Sequence, residues 1–506
     1  MPRTGLLRTK SVEQSRADTD EPDTRLRKNL SAFDLVMFGV AVTIGAGIFT
    51  MTARTAGNIA GPGVALSFVI SAIACGLAAL CYAEFASTVP VAGSAYTYSY
   101  ATFGEFIAWI LGWDLLLELA LGSAVVAKGW SEYLQEALGL LGIQAKTTVP
   151  LAGFDFDWGA VVLTLLLTTV LAVGIKLSAR VTQVITLVKI AVVLLVIFAG
   201  LQWINTANYT PFIPEPTGGD SSGGGLEQSL FSLMLGGSTS NFGVFGIFAG
   251  AAIVFFAFIG FDVVATTAEE TRNPQRDMPR GIMGSLAIVT VLYVAVALVV
   301  TGMVSYKELA TKPDGTKATL ATAFTYHGQT WTASFIIIGA LAGLTTVVMV
   351  LMLGQIRVLF AMSRDGLVPR VLAKTSDSTG TPVRATVLVG IFVVIASGFF
   401  PASKLEEMVN VGTLAAFIMV SVGVIVLRKT RPDLPRSFRT PLVPLVPILA
   451  VLACLWVMVN LTAMTWVRFL IWMAAGLLLY FVYGYRNSRL AQQEREQSKG
   501  AVAETP

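Results

Sequence analysis

The sequence predicts an all-α integral membrane protein with twelve transmembrane helices. Of its 506 residues, 55% are hydrophobic and 13% are charged, whereas soluble globular domains carry about 25% charged residues. A helix needs about 20 apolar residues to cross the hydrocarbon core of a bilayer, and twelve such runs are present. Two further observations sharpen this prediction. Glycines interrupt the first and sixth runs, and a lysine lies alone inside the fifth.

We number the predicted spans 1 to 12. They lie near residues 33–52, 62–87, 101–127, 158–175, 181–204, 244–268, 282–304, 332–360, 384–400, 405–427, 443–463 and 465–485. Together they leave no room for a separate soluble domain. The expected organisation is a polar tail at 1–28, a membrane domain at 29–486 and a second polar tail at 487–506.

The distribution of basic residues predicts the orientation. Most of the 35 lysine and arginine residues fall in the two tails and in the loops on the same side of the membrane. Because basic residues accumulate on the cytoplasmic side, both termini are predicted to be cytoplasmic, and the plasma membrane is the expected location. The net charge of +4 then reflects this topology, and no nucleic-acid partner is predicted.

Reactive side chains are few. Cys75, Cys81 and Cys454 all fall inside spans, where they are predicted to be small buried hydrophobic residues. His327 is the only histidine and lies in a short polar loop. We therefore expect no metal site and no cofactor. An enzyme is disfavoured because no nucleophile–base pair appears.

Span 1 contains two glycines at its middle, in residues 43–50, which read Thr-Ile-Gly-Ala-Gly-Ile-Phe-Thr. Each glycine weakens a helix by about 1 kcal/mol relative to alanine. Irregular backbone at membrane depth is tolerated only where it lines a protein cavity. The alternative interpretation is close packing of helices through small residues.

Span 6 is interrupted in a similar way, by Gly260 and Asp262. Two interrupted spans five apart predict an inverted repeat of spans 1–5 and 6–10, with a binding site where both helices unwind. The repeats would cover residues 33–204 and 244–427, and two extra helices would cover 443–485. Asp262 is expected to cap the half-helix that follows the break.

The broken ends indicate the chemistry of the ligand. The N-terminus of a half-helix offers free N–H groups and partial positive charge, which suit a carboxylate. The C-terminus of a half-helix offers free carbonyls, which suit an ammonium group. A ligand that satisfies both is zwitterionic, and an α-amino acid is the smallest common one.

Lys189 lies alone in the apolar run 184–200 of span 5. A charge at membrane depth costs several kcal/mol, so we expect this residue to have a function and to carry a proton. The alternatives are that it extends to the membrane interface or pins span 5 by pairing.

Asp114 and Glu118 are spaced i, i+4 on span 3 and share one helix face. Carboxylates at membrane depth are expected to face the protein interior. Three roles are open: lining a substrate cavity, balancing the charge of Lys189, or joining helices through hydrogen bonds. Glu118 is the favoured cavity residue because it lies nearer the middle of the span.

At this point the sequence resembles the amino acid–polyamine–organocation superfamily, and within it the bacterial members of the cationic amino acid transporter family. The matching stretches are NLSAFD at 29–34, IGAGIF at 44–49, CYAEF at 81–85, PVAGSAYTYSY at 90–100, GWDLLLE at 112–118, AEETRNP at 268–274 and FAMSRDGL at 360–367. The resemblance implies a LeuT-like fold and secondary active amino acid transport, by proton symport or exchange with alternating access.

The resemblance also implies roles for residues. Backbone N–H groups at Ile44, Gly45, Ala46 and Gly47 would hold the substrate carboxylate. The carbonyls of Phe256 and Ile259 would accept from its ammonium group. Lys189 would take the place of the cation that sodium-driven relatives bind between spans 1 and 8. On span 8, Leu344 and Thr345 are expected to contact the substrate side chain.

Substrate preference stays open at this stage. An apolar Leu344 favours small or medium neutral amino acids, whereas the carboxylates of span 3 favour cationic ones. The alternatives to an amino acid transporter are a polyamine or other organocation permease of the same superfamily, and an amino acid sensor without net flux. The expected partners are a small amino acid and the lipid bilayer. The sequence identifies no small membrane subunit.

Overall fold

In a computed structural model, the chain is built almost entirely of helices. The structure describes residues 8, 30–88, 96, 99–100, 103–151, 153–174, 179–218, 225–235, 240–311, 317–376, 380–492 and 494–495. Within these ranges, eight helical stretches are long and apolar enough to cross a membrane, and four shorter apolar helices accompany them. The predicted helical membrane class is therefore confirmed. Most of the predicted tails at 1–28 and 487–506, and most of the stretch 90–100, lie outside the described residues.

The helices are numbered in chain order. The first half of the chain contains α1 (Ala32–Thr43), α2 (47–60), α3 (Val64–Thr88), α4 (Glu105–Leu140), α5 (Trp158–Ala172) and α6 (Ala179–Gly200). The second half contains α7 (Leu230–Leu235), α8 (Gly243–Val254), α9 (Pro274–Met303), α10 (Leu320–Tyr326), α11 (Thr330–Arg364), α12 (Val383–Phe399), α13 (Ala402–Thr430), α14 (Leu445–Val459), α15 (Ala463–Leu479) and α16 (Tyr485–Asn487).

Two small antiparallel ladders add to the predicted all-α fold. Strands β1 (Thr148–Leu151) and β2 (Phe154–Asp157) pair between α4 and α5. Strands β3 (Thr217–Gly218) and β4 (Ser240–Asn241) pair between α6 and α8. Both lie in connections between helices, so they leave the helical architecture unchanged.

The start of α1 follows directly from its sequence. Asp34 Oδ2 accepts a hydrogen bond from the backbone N–H of Ser31 at 2.9 Å, and Ser31 Oγ accepts from the N–H of Asp34 at 3.4 Å. This reciprocal capping box satisfies two N–H groups that a helix start leaves free. Just before it, Leu30 accepts from the N–H of Arg272, which joins the entry of α1 to the entry of α9.

Two serines of α3 hold α8 in place. Ser67 Oγ donates to the carbonyl of Ile247 and Ser71 Oγ to that of Ala251, both at 2.8 Å. Both serines are fully buried, so their hydroxyls need these partners. The contact fixes α8 up to Val254, where the chain enters its second interruption.

The first and last described parts of the chain meet at the start of α4. Arg8 is 8% exposed, and its carbonyl accepts from the N–H of Glu105 at 2.7 Å. Its guanidinium lies 3.6 Å from the Glu105 carboxylate and donates to Glu494 at 2.7 Å. The same group stacks over the ring of Tyr485 at 4.8 Å. Arg8 therefore connects the N-terminal region to the region that follows α15.

Glu84 joins the end of α3 to α13 and to the segment after it. Its carboxylate accepts from Arg428 Nε at 2.9 Å, from Arg428 Nη2 at 2.7 Å and from the N–H of Thr440 at 2.7 Å. Glu84 is 1% exposed. A bidentate pair of this kind is strong and geometrically specific.

We predict that Glu84→Ala destabilises the fold. Removing one partner of a buried ion pair leaves the other without compensation and costs about 3 kcal/mol. The matched control is Asp433→Ala, which removes the exposed partner of Arg431 and should change stability by less than about 1 kcal/mol. Thermal unfolding of the detergent-purified variants measures both. Equal unfolding temperatures for the two variants would contradict this role for Glu84.

Candidate functional site

The first helix break lies between α1 and α2. Helix α1 ends at Thr43, Ile44 has an extended backbone, and the next helical run begins at Gly47. The last carbonyls of a helix have no donor within the helix. Two of them receive side chains instead: Lys189 Nζ donates to the carbonyl of Ala41 at 2.7 Å, and the Tyr293 hydroxyl donates to that of Thr43 at 2.7 Å.

The second break follows α8. The chain passes through the short 3-10 turn Phe255–Phe258, and Gly260 then takes a φ of +123°, a conformation that essentially only glycine adopts without strain. Asp262 Oδ1 accepts from the N–H of Gly260 at 3.2 Å. Asp262 therefore stabilises the turn itself. The predicted capping role is wrong, because Asp262 is the first residue of the following 3-10 segment, whose N-cap is Phe261 and which has no side-chain capping bond.

The two breaks face each other. The Tyr293 hydroxyl, which bonds Thr43, also lies 3.0 Å from the carbonyl of Ala257. A Cβ added to Gly47 would lie 2.2 Å from Ala257 Cα, so the two backbones touch at this point. Tyr293 was missed by sequence reasoning. As the one tyrosine in the long helix Pro274–Met303, it offered an available signal, since a buried tyrosine hydroxyl needs a partner.

A small cavity lies where the breaks meet. The cavity volume is about 20 Å³, which is enough for roughly one water molecule. The lining residues are Val42, Thr43, Gly45, Ala46, Gly47, Glu118, Leu119, Gly122, Val126, Phe256, Ile259, Val263, Val347 and Leu351. The structure thus brings six of the predicted site residues together: Gly45, Ala46, Gly47, Glu118, Phe256 and Ile259.

The structure places the other predicted residues elsewhere. The backbone N–H of Ile44 donates to the carbonyl of Val40 at 2.9 Å, and the residue is fully buried and does not line the cavity. On α11, Val347 and Leu351 line the cavity in place of Leu344 and Thr345. Leu344 shares their helix face through its i, i+3, i+7 spacing but lies one turn, about 5 Å, away along the axis. Thr345 is rotated off that face, and its hydroxyl donates to the carbonyl of Leu341.

The two carboxylates of α4 separate into different environments. Glu118 lines the cavity. Asp114, one turn nearer the start of α4, is 2% exposed and does not line it. A Cβ added to Gly412 would lie 2.7 Å from Asp114 Oδ1, so Asp114 is packed against α13. Neither carboxylate forms an ion pair with Lys189 among the described residues, so the pair does not balance the lysine charge directly.

Lys189 approaches the first break from outside the cavity. It is 2% exposed, so it does not extend to the membrane interface. Its side chain lies between α11 and α1 and ends on the Ala41 carbonyl. The ammonium group therefore contacts the end of α1, and Lys189 does not line the cavity at the same break.

A wider vestibule of about 920 Å³ lies close to the cavity. It reaches Ile253, three residues before the cavity residue Phe256. Ion pairs cross it between elements: Arg54 of α2 with Glu406 of α13, and Lys128 of α4 with Asp157 at the end of β2.

A multi-pass helical membrane protein with a cavity between two discontinuous helices has the architecture of a secondary transporter, which binds its substrate where such helices meet. Comparison with known proteins specifies the class further. The chain belongs to the amino acid permease family, whose model matches residues 30–482.

Several relatives cover nearly the whole chain. A branched-chain amino acid permease, BcaP, of Bacillus subtilis (strain 168) is 43% identical over 494 residues, which is 96% of this chain and 99% of the relative. A methylthioribose transporter of the same organism is 42% identical over 490 residues, with the same coverage. The vacuolar cationic amino acid transporter 2 of Arabidopsis thaliana is 40% identical over 441 residues, 86% of this chain and 65% of the relative. The protein is an amino acid transporter, and the resemblance found in the sequence is confirmed.

The two glycines of the first break have different neighbours, which gives a prediction. A Cβ on Gly47 would lie 2.2 Å and 2.3 Å from Ala257 Cα and Cβ, whereas a Cβ on Gly45 would lie 3.4 Å from Val347 Cγ1. Gly47→Ala should therefore lower the unfolding temperature, at a cost of about 1–3 kcal/mol or more for overpacking. Gly45→Ala should unfold close to wild type. Thermal unfolding of both purified variants is the measurement. An equal fall in unfolding temperature for the two variants would refute the different packing of Gly47 and Gly45.

Proposed function

We propose that the protein is a proton-coupled amino acid transporter of the plasma membrane that works by alternating access. The observation that carries the proposal is the cavity at the meeting point of the two helix breaks, with Lys189 bound to the end of α1 behind it. Proton symport and exchange both fit this arrangement. No cofactor other than the proton is needed.

Twelve crossings in an inverted five-plus-five repeat are part of the proposal. Helices α1 and α2 would form one interrupted crossing. With α3 to α6, α8, α9 and α11 to α15, they make twelve. The repeats would cover 33–204 and 244–427, with extra helices at 443–485. Both tails, 1–28 and 487–506, would be cytoplasmic because of the distribution of basic residues.

The substrate backbone would be held by the broken helices. N–H groups at the start of α2, around Gly45, Ala46 and Gly47, lie beside the cavity and suit a carboxylate. Phe256 and Ile259 also line the cavity, and their carbonyls would suit an ammonium group; the Phe256 carbonyl accepts from the N–H of Ile259 at 3.2 Å in this state. Because the cavity holds only about 20 Å³, binding an amino acid requires the two breaks to move apart, as alternating access demands.

The cavity walls favour an amino acid with an uncharged aliphatic side chain. Leu119, Val126, Val263, Val347 and Leu351 make most of its lining apolar. Burial of apolar side chains against such walls is favourable. Two of the relatives are named for cargoes without a cationic side chain, a branched-chain amino acid and methylthioribose.

Glu118 supports cationic amino acids as a second candidate substrate class. It is the acidic side chain among the described lining residues, and one carboxylate suits one cationic side chain. The names of plant relatives include cationic amino acid transporters.

A polyamine is less favoured because two ammonium groups would share this single carboxylate. A sensor without flux is distinguished by counterflow of labelled amino acid in liposomes, which requires transport.

Lys189 supports the proposed proton coupling. When protonated, it makes a charge-assisted hydrogen bond to Ala41, and such bonds are about twice as strong as neutral ones. Loss of the proton weakens its hold on α1, the half-helix that must move when the cavity opens. Proton and substrate would then favour different conformations, and this differential affinity is what couples them.

We predict that Lys189→Ala abolishes amino acid accumulation driven by an imposed pH gradient in liposomes. Counterflow should stay measurable, because the cavity residues are unchanged. Lys404→Ala is the control: it removes an exposed lysine paired with Glu227 and should leave both activities intact. Full gradient-driven accumulation by Lys189→Ala would remove the lysine from the coupling mechanism.

Cavity size gives a second prediction, on substrate choice. A Cβ on Gly122 would make ordinary contact with Leu351 Cδ1 at 3.6 Å and fill part of the cavity. Gly122→Ala should therefore reduce uptake of leucine and valine more than that of alanine. Gly354→Ala is the matched control. Its Cβ would lie 3.5 Å from Leu119, in the same contact between α4 and α11, but Gly354 does not line the cavity.

Competition of unlabelled amino acids against labelled uptake, in wild type and both variants, is the measurement. An uncharged aliphatic amino acid should compete best with wild type. Strongest competition by arginine or lysine would instead assign Glu118 to the substrate side chain. Identical size profiles for Gly122→Ala and wild type would place the side-chain site elsewhere.

A further inference from the structure

The side chain of Lys189 crosses α11 at Gly343. A Cβ added to Gly343 would lie 2.9 Å from Lys189 Cγ, 3.3 Å from Cδ and 3.2 Å from Cε. These are three consecutive carbons, so the lysine stem lies along the space that a side chain at position 343 would occupy. The stem is enclosed, since Lys189 is 2% exposed.

The same stem determines where the ammonium group ends. With α11 on one side, Lys189 Nζ reaches the carbonyl of Ala41 at 2.7 Å. A side chain at position 343 would push the stem away from α11, and carbon atoms closer than about 3.5 Å repel each other strongly. The hydrogen bond to α1 therefore depends on the space left by Gly343.

We propose that Gly343 is a positioning residue for proton coupling: its missing side chain forms the groove that directs the Lys189 ammonium group to the end of α1. This inference rests on the proposed role of Lys189 as the proton carrier. Gly343 itself contacts neither proton nor substrate and acts through the lysine.

The competing interpretation is that Gly343 only allows α11 and α6 to pack closely. The neighbouring Gly339 provides a control for this effect of packing. Small residues four apart let helices approach closely in membranes, and Gly339 precedes Gly343 by four residues. A Cβ on Gly339 would lie 2.3 Å from Val192 Cγ2. Both glycines therefore bring α11 close to α6, but Gly339 contacts a valine and Gly343 contacts the lysine.

Other titratable groups near α6 have other partners or lie away from the ammonium group. No described carboxylate lies within 4.0 Å of Lys189 Nζ. Asp34 is bonded to Ser31, and Tyr293 donates to Thr43 and Ala257. The remaining described titratable residues on the helices packed against α6 are Arg276, Asp277 and Arg280 of α9 and Arg357 and Arg364 of α11. A change in pH dependence caused at position 343 is thus expected to act through Lys189.

The test compares Gly343→Ala with Gly339→Ala and with Lys189→Ala in liposomes. Gly343→Ala should lower accumulation driven by a pH gradient about tenfold or more, the loss expected when a hydrogen bond to a charged group is broken. It should also flatten the pH dependence of uptake, while counterflow stays measurable. Gly339→Ala should keep the wild-type pH dependence, even if its unfolding temperature falls.

The outcomes separate the two proposals. If Lys189→Ala keeps full accumulation, the proposed coupling itself is wrong. If Lys189→Ala loses accumulation but Gly343→Ala retains it with a wild-type pH profile, the positioning role of Gly343 is overturned. The same holds if Gly339→Ala and Gly343→Ala change the pH profile equally.

A thermal-unfolding cycle tests the contact even if Gly343→Ala folds poorly. In a Lys189→Ala background the lysine stem is absent. Gly343→Ala should therefore lower the unfolding temperature much less in that background than in wild type. Gly339→Ala should cost the same in both backgrounds, because its neighbour Val192 is unchanged. The proposal would be contradicted if Gly343→Ala lowered the unfolding temperature equally in the presence and in the absence of Lys189.

Discussion

The backbone carbonyls left without helical donors where α1 ends in the buried core impose the constraint on which the rest of the site depends. Without water, an unpaired carbonyl in this environment costs several kcal/mol. Lys189 satisfies Ala41, and Tyr293 serves Thr43 and Ala257. The interruption that creates a cavity thus also recruits a buried amine and a buried hydroxyl. The candidate binding cavity and the proposed coupling group arise from one structural requirement, which is why both lie at the same break.

Glycine serves two different purposes at this break, and geometry separates them. Both glycines line the cavity, but Gly47 also lets α2 touch the backbone at Ala257, whereas Gly45 leaves room beside Val347. The two interpretations of the Gly-Ala-Gly motif, close packing and a backbone that borders a cavity, therefore both hold at Gly47, and the second alone holds at Gly45. The sequence alone could not assign them, because the two glycines differ only in what the rest of the chain places opposite them.

Features with a strong local cause could be predicted from the sequence. The break at 43–50, the turn at Gly260 and the buried positions of Glu118 and Lys189 all follow from the cost of glycine or charge in a membrane helix. The wall formed by Val347 and Leu351 could not be predicted to the residue. Helix α11 is apolar around most of its circumference, so periodicity does not indicate which of its residues lies at the depth of the cavity. Leu344 lies one turn away from that lining, and its contact with the substrate stays a prediction. Gly343 depends on a contact between distant helices, for which the sequence contains no local signal. The hydroxyl of Tyr293 in an apolar helix indicates a buried polar contact, but its partners Thr43 and Ala257 lie on distant segments that the sequence alone does not identify.

Arg8 has a consequence for the order in which the protein is made. Synthesis reaches Arg8 486 residues before its partner Glu494. The contact with Glu105 can form early, but the ion pair with Glu494 and the stacking on Tyr485 exist only after α15 has been completed. Arg8 therefore acquires its full set of described partners only once the segment after α15 has been made, and a chain cut short before residue 485 would leave this arginine without Tyr485 and Glu494.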